Sequence, residues 1–222
     1  MKALVIGATG ATGKDIVNQL LRDEEFSQVD IFVRREVNIS HPKLKTHVVD
    51  FNDINSWGDK LQGDILFSAL GTTRKQAGSK EAQWKVDYSY QYETAKAARK
   101  NGVGTYALVS AFNADAQSSF FYPRLKMALE DAILALGYSR NIIMRPPSLI
   151  RKNSDRAEEK LSVKVLQFIN RFGLLKEWSP METELVAKAM IEAAKASTTG
   201  TTTMGPEEIR HSATKQENRE EI

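Results

Sequence analysis

The stretch that decides the fold is residues 4–13, Leu-Val-Ile-Gly-Ala-Thr-Gly-Ala-Thr-Gly, close to the first residue of the chain. Its three apolar residues predict a short buried strand. The apolar positions from Ile16 to Leu21 then recur at helical spacing, which predicts an amphipathic helix. The glycines between the two elements therefore form a turn that leads directly from a strand into a helix.

The glycine-rich loop, residues 7–13, has a glycine at every third position. Gly7 allows a sharp turn, Gly10 lets backbone N–H groups approach a pyrophosphate, and Gly13 lets the helix pack closely on the sheet. The positive end of the helix dipole then faces the phosphates. The spacing differs from G-x-G-x-x-G, and glycines also mark plain turns, so the prediction depends on the strand-to-helix context. The further loop residues predicted to contact a dinucleotide are Thr9, Ala11 and Thr12.

Short apolar strands alternate with amphipathic helices over residues 1–150. Strands joined by crossover helices indicate a parallel sheet that is covered on both faces. We therefore predict an α/β protein with a Rossmann-type, doubly wound parallel sheet as its NAD(P)-binding core. The predicted strands are residues 4–6, 29–33, 47–51, 64–70, 106–110 and 141–145. The predicted helices include residues 83–100 and 123–136.

The rhythm changes after residue 150. Apolar residues at helical spacing predict two helices, which we assign to a small helical C-terminal cap over residues 151–205, integrated with the core. Residues 206–222 are assigned to a polar tail, and its end, residues 212–221, is predicted to be frayed. The apolar residues predicted to line a substrate site, or alternatively to be ordinary core, are Leu149, Phe168, Phe172, Leu174 and Trp178.

The residues after the second predicted strand indicate which cofactor is bound. Arg34 and Arg35 stand where NAD-binding proteins place an acidic residue, and two guanidinium groups suit the 2′-phosphate of NADP(H). The alternative is a solvated basic pair, and the neighbouring Glu36 leaves room for NAD(H). Asp50 and Phe51 end the third predicted strand, where Asp50 is predicted to accept from the adenine amino group or, alternatively, to serve a turn.

A second cluster of residues is typical of proton transfer. Tyr122 and Lys126 lie four residues apart, on one face of a predicted helix. A nearby ammonium favours the phenolate, so the pair could move a proton beside a nicotinamide. Ser110 ends the fifth strand, at the sheet edge where ligands bind, and its hydroxyl could hold a substrate oxygen. The alternative is an aromatic packing cluster with a solvated lysine.

Composition limits the classes of function. The net charge is +3 with no long basic run, so the sequence indicates neither nucleic acid nor an anionic membrane as partner. The absence of cysteine excludes disulfides and thiolate chemistry, and no metal site is predicted. The initial apolar run is too short for a signal peptide, and we expect a cytoplasmic protein, monomeric or homodimeric, that acts on a small molecule.

Taken together, these motifs resemble the atypical short-chain dehydrogenase/reductase superfamily over residues 1–195. Within it, the chain is most similar to the group of the human HIV Tat-interacting protein (TIP30, or CC3) and its shorter bacterial relatives. The most specific match is residues 70–74, Leu-Gly-Thr-Thr-Arg, followed by residues 77–78. Ala111 departs from the pattern of the group, in which a second serine is expected. The remaining matches are residues 7–13, 34–35, 49–51 and 86–87, Ser110, Tyr122, Lys126, Arg145 and Pro146.

The resemblance implies a Rossmann fold, NADP(H) and a Ser110–Tyr122–Lys126 triad, with Lys126 also on the cofactor ribose. It further implies that Leu70, Gly71 and Thr72 contact the cofactor, and that Arg145 and Pro146 lie near the nicotinamide. The expected function is carbonyl reduction or alcohol oxidation with NADP(H). The alternative is a non-catalytic, NADP(H)-binding redox sensor. A nucleotide-sugar epimerase or dehydratase is a weaker alternative, because the region after residue 150 is short for that substrate.

Overall fold

The first strand of the chain lies in the middle of a parallel sheet. The computed structural model describes residues 1–150 and 179–220, with side chains up to residue 213. Seven strands of this part of the chain form one sheet, and every neighbouring pair is parallel. Their order across the sheet is β3 (Leu44–Val48), β2 (Gln28–Val33), β1 (Lys2–Ile6), β4 (Ile65–Ser68), β5 (Thr105–Val109), β6 (Arg140–Met144) and β9 (Gly200–Met204).

The order of the strands reverses between β1 and β4. From β1 the chain winds outward through β2 and β3, and from β4 it winds the other way through β5 and β6. Such a reversal opens a crevice at the carboxyl ends of the two central strands, which is where ligands bind in open α/β sheets. The glycine-rich loop leaves β1 at this point.

Helices cover both faces of the sheet. Alternate residues of β1 point into two separate cores, Ala3 and Val5 toward one and Leu4 and Ile6 toward the other. The crossover elements are α1 (Ala11–Arg22), two 3₁₀ turns (Ile54–Ser56 and Gly58–Lys60), α2 (Arg74–Ala77), α3 (Lys80–Trp84), a π-helical segment (Lys85–Ser89), α4 (Tyr90–Lys100) and α5 (Phe121–Leu134). The α/β fold with a doubly wound parallel sheet is therefore confirmed.

Several predicted boundaries are wrong. Strand β3 ends at Val48, so Asp50 and Phe51 follow the strand instead of ending it. The predicted helix over residues 83–100 is divided by the π-helical segment. Strand β9 was not predicted, because its run of threonines lacks the apolar residues that mark a buried strand and its first four residues are exposed.

The described part of the C-terminal region packs against the core. Helix α6 (Thr183–Lys195), which was assigned to the cap, packs on α1 and shares its apolar core, and β9 extends the sheet. Helix α7 (Pro206–Glu220) runs through most of the segment predicted to be frayed, and Ile209 and Ala213 on it are buried. A short parallel pair, β7 (Leu149–Ile150) and β8 (Met181–Glu182), lies apart from the main sheet.

Part of the predicted cap lies outside the described residues, which omit residues 151–178. These include its first helix and the lining residues Phe168, Phe172, Leu174 and Trp178. The cap itself therefore stays a prediction. In the described part of the chain, no helix combines the length and the apolar character needed to cross a membrane.

Candidate active site

The glycine-rich loop packs so closely that side chains are excluded at two of its positions. Gly7 has φ +79, and a Cβ there would lie 2.4 Å from the carbonyl carbon of Ala69. A Cβ on Gly13 would lie 2.0 Å from the carbonyl oxygen of Gly7. The ends of β1 and β4 and the first turn of α1 thus meet at contact distance, as the sequence predicted for Gly7 and Gly13.

The N-terminus of α1 provides free N–H groups beside this loop. Gly10 is the N-cap, and the first intrahelical bond runs from the Lys14 N–H to the Gly10 carbonyl at 3.0 Å. The N–H groups of residues 11–13 precede that bond, so they have no acceptor within the helix. With the helix dipole, they form a site that suits an anion such as a phosphate.

A groove runs along the carboxyl edge of the sheet and passes this helix end. It consists of two cavities of about 460 and about 480 Å³. The cavities share Gly10, Leu70, Gly71 and Thr72, so they adjoin at the loops after β1 and β4. Volumes of this size are typical of small-molecule sites, and a dinucleotide would lie across both with its pyrophosphate at α1. The residues present therefore fit a dinucleotide.

The first cavity lies at the end of β2. Gly7, Thr9, Arg34 and Phe51, all named from the sequence as candidate cofactor contacts, line it. Arg35 is exposed and does not belong to the lining of either cavity among the described residues. Only one of the two predicted arginines thus faces the groove.

Asp50 is also outside the groove lining formed by the described residues. Its Oδ1 accepts from the Asn52 backbone N–H at 2.9 Å and from Asn52 Nδ2 at 2.7 Å. These two hydrogen bonds lower the pKa of the Asp50 carboxyl. The contacts are those of a turn aspartate, which is the alternative that the sequence left open.

The second cavity brings together the predicted triad. Ser110 follows β5 directly, Tyr122 and Lys126 lie one turn apart on α5, and all three line the cavity with Pro146. Lys126 is only 2% exposed, and its Nζ donates to the Val109 carbonyl at 3.1 Å. The same Nζ lies 5.8 Å from the centre of the Tyr122 ring. The Lys126 ammonium and the Tyr122 ring thus lie side by side in one cavity.

Asp87 is a groove residue to which the sequence gave no chemical role. It lies in the π-helical segment, and its carboxylate is fully buried in the lining of the second cavity. Its Oδ2 accepts from the Thr72 N–H at 2.9 Å, and its Oδ1 has no hydrogen-bond partner among the residues that the structure describes. Burial raises the pKa of Asp87, against the opposing effects of the Lys126 charge and the Thr72 N–H. A π-helical bulge often occurs at a functional site, and this one brings a carboxylate to the groove.

Glu130 is a second residue that the sequence reasoning missed. It is 1% exposed on α5, and its Oε1 accepts the hydrogen bond of the Ser110 hydroxyl. Arg145 donates to the same carboxylate from Nε and Nη2, at 3.1 and 2.6 Å. Tyr122, Lys126 and Glu130 are spaced by four residues, and this helical spacing was the signal that could have identified Glu130. Arg145, predicted near the nicotinamide, is not among the described residues that line the groove.

Buried amide contacts hold the β4 loop in place below the groove. Ser68 Oγ donates to Gln91 Oε1 at 2.6 Å, and Gln91 Nε2 donates to the carbonyls of Asp87 and Leu70 at 2.8 and 3.2 Å. These contacts tie the end of β4 to the π-helical segment. They therefore fix the backbone of Gly71 and Thr72 where the two cavities join.

The sheet order, the close-packed glycine loop and the free helix end define a nucleotide-binding protein of the Rossmann class. Solved structures with this fold include the UDP-glucose 4-epimerase of Thermotoga maritima, with a TM-score of 0.71 at 13% identity. A short-chain dehydrogenase/reductase superfamily protein from Agrobacterium tumefaciens, with bound NAD, has the same TM-score and identity. Each match covers 92% of this chain and 77% of the other.

The family follows from a direct match. A family model described as NAD(P)H-binding matches residues 7–195, and the chain belongs to this family. Curated relatives include protein FMP52-1, mitochondrial, of Scheffersomyces stipitis, which is 36% identical with 89% of each chain covered. Protein fmp52, mitochondrial, of Emericella nidulans is 32% identical with 92% of each chain covered.

These relatives correct one expectation from the sequence. Composition and the absence of an evident signal peptide led us to expect a cytoplasmic protein. That expectation is wrong, because the similar fungal proteins are named as mitochondrial. A composition-based argument detects secretory and membrane-spanning segments, and it does not distinguish compartments that all hold soluble proteins.

Proposed function

We propose that this protein is an NADP(H)-dependent oxidoreductase that reduces a carbonyl group, or oxidises an alcohol, of a small molecule. The observation that carries the proposal is the shared groove. Tyr122 and Lys126 line the same cavity as Gly10, the N-cap of α1. The groove that fits a dinucleotide thus also holds the Tyr122 phenol, with the buried Lys126 Nζ 5.8 Å from the centre of its ring.

The side chains divide the work of the reaction among them. Bound nicotinamide supplies or accepts the hydride. In the direction of reduction, Tyr122 gives its hydroxyl proton to the substrate oxygen while the carbonyl carbon is reduced, which yields the alcohol. Lys126, with its positive charge, stabilises the resulting phenolate and is within the cavity where the cofactor ribose would lie. Asp87 and Thr72, joined by the hydrogen bond from the Thr72 N–H, also line this cavity.

The preference for NADP(H) rests on Arg34. Its position at the end of β2 in the groove lining suits a 2′-phosphate, which a guanidinium can bind through two hydrogen bonds. We also propose, from residues 70–74, that the chain is related to the group of the human HIV Tat-interacting protein. The curated relatives reported above are instead fungal FMP52 proteins.

The test is NADPH consumption over a panel of aldehydes and ketones. Tyr122→Phe removes the proton donor and keeps the ring, so we expect turnover to fall roughly 100-fold or more with NADPH affinity retained. Tyr92→Phe is the matched control, since Tyr92 stacks on Tyr88 away from the groove lining. Unchanged turnover in Tyr122→Phe would rule out Tyr122 as the acid. Tight NADPH binding without turnover on any substrate would favour the redox sensor instead.

A further inference from the structure

The hydroxyl hydrogen of Ser110 is used in a hydrogen bond to a buried carboxylate and does not point into the substrate cavity. Ser110 Oγ donates to Glu130 Oε1, while Ser110 itself lines the cavity. Arg145 binds the same carboxylate through Nε, at 3.1 and 3.2 Å from its two oxygens, and through Nη2 at 2.6 Å. Glu130 therefore sits between a serine that faces the groove and an arginine behind it.

The direction of the hydrogen bond follows from these contacts. An ionised carboxylate only accepts hydrogen bonds, and a guanidinium only donates them. Because Arg145 donates to both oxygens of Glu130, a proton on that carboxyl would face the guanidinium hydrogens. Glu130 is thus the acceptor and Ser110 the donor. A hydroxyl has one hydrogen and two lone pairs, so only the lone pairs of Ser110 remain for a ligand.

We propose that Glu130 is a positioning residue that makes Ser110 a hydrogen-bond acceptor toward the groove. Ser110 then accepts a hydrogen bond from a hydroxyl of the substrate. The reacting carbonyl oxygen receives its proton from Tyr122 and does not bind Ser110. The sequence predicted only that the Ser110 hydroxyl holds a substrate oxygen. The acceptor role also defines the substrate class as a compound with a hydroxyl near its reacting carbon, such as an α-hydroxy ketone or the corresponding diol. The assignment of substrate class rests on the proposed function, whereas the orientation of Ser110 rests on the contacts alone.

The orientation is tested without any enzymatic activity. The chain has no cysteine, so Ser110→Cys introduces a single thiol at this position. A neighbouring carboxylate disfavours the thiolate. We expect the thiol pKa in Ser110→Cys to exceed that in Ser110→Cys/Glu130→Gln by about one unit or more. The measurement is the ultraviolet absorbance of the thiolate against pH, with the parent protein subtracted, which requires no access by a reagent.

A matched control separates Glu130 from a general loss of charge on α5. Asp131 is its exposed neighbour, so Ser110→Cys/Asp131→Asn should keep the thiol pKa of the single variant. Circular dichroism shows that each variant is folded. Equal thiol pKa values in Ser110→Cys and in Ser110→Cys/Glu130→Gln would overturn the proposal.

The consequence for substrates is tested by a double-mutant cycle on kcat/KM. Glu130→Gln should lower kcat/KM for an α-hydroxy ketone about tenfold or more in the natural protein, and should have little effect in a Ser110→Ala background. The plain ketone of the same carbon skeleton should lose much less. Equal losses in both backgrounds, or for both ketones, would contradict the role of Ser110. If no carbonyl compound is reduced, the proposed function fails, and the thiol titration still decides the orientation.

Discussion

Two alanine substitutions in the glycine-rich loop should separate folding from cofactor binding. A Cβ on Gly10 would lie 3.2 Å from the Gly7 oxygen and 3.8 Å from the Ala69 oxygen, and its backbone is extended, with φ −74 and ψ 173. Alanine fits there with a small adjustment. A Cβ on Gly13 would lie 2.0 Å from the Gly7 oxygen and 2.7 Å from its carbon, so the backbone must move.

These Cβ distances predict a small loss of stability for Gly10→Ala and a large one for Gly13→Ala. Alanine is a poorer N-cap than glycine, so Gly10→Ala should cost about 1 kcal/mol of unfolding free energy. Gly13→Ala forces overpacking and should cost about 3 kcal/mol or more. For a domain of this size, about 1 kcal/mol lowers Tm by roughly 2–4 °C. We therefore expect Gly13→Ala to lower Tm by roughly 6–12 °C and Gly10→Ala by far less.

Gly10→Ala, which should lose little stability, should still bind the cofactor much more weakly. Gly10 lines both cavities, where the pyrophosphate would approach α1, so a methyl group there should weaken NADPH about tenfold or more. Thermal unfolding and calorimetric titration measure the two effects on the same samples. Gly104→Ala is the matched control, since a Cβ there meets nothing within 4 Å. An NADPH affinity in Gly10→Ala equal to that of the natural protein, or an unchanged Tm in Gly13→Ala, would contradict these expectations.

Two further predictions concern buried carboxylates and pH. Burial raises the pKa of Asp87 in the folded protein. The contribution of Asp87 to the free energy of unfolding is therefore full at a pH below the usual pKa of an aspartate, and it is lost as pH rises. Asp87→Asn should therefore raise Tm near about pH 7 and leave it nearly unchanged near about pH 4, and a rise of equal size at both would contradict this. Burial alone would raise the pKa of Asp30, but hydrogen bonds from Gln28, His47 and Lys2 lower it, so its stabilisation is lost as pH falls. Lys2→Met should cost on the order of 2 kcal/mol near about pH 7 in urea unfolding, with a loss that shrinks below about pH 4; a pH-independent loss would exclude the ion pair as its cause.

The sequence predicted best where local chemistry has few solutions. The turn at Gly7 and the packing at Gly13 follow from short-range sterics, and the helical spacing of Tyr122 and Lys126 placed both in one cavity. Strands buried on both faces are also recognisable in a sequence as nearly continuous apolar runs. For these reasons the parallel sheet was predicted correctly, whereas the roles of the groove residues stay predictions.

The misses arise from contacts between residues distant in sequence. Strand β9 is stabilised by pairing with β6, which its polar composition does not reveal. The turn contacts of Asp50 depend on where β3 ends, and the π-helical segment that places Asp87 in the groove lining has no periodic signal. Glu130 acquires its role only when α5 meets the end of β6, where Arg145 begins the next loop.

The proposed cofactor site is tested most directly by which dinucleotide binds and through which arginine. Calorimetric titration of NADPH and NADH into the natural protein, Arg34→Ala and Arg35→Ala measures this. Because Arg34 lines the groove and Arg35 does not, we expect NADPH to bind about tenfold or more tighter than NADH. That preference should vanish in Arg34→Ala and persist in Arg35→Ala. Equal affinity of the natural protein for NADH and NADPH, or an unchanged preference in Arg34→Ala, would contradict it.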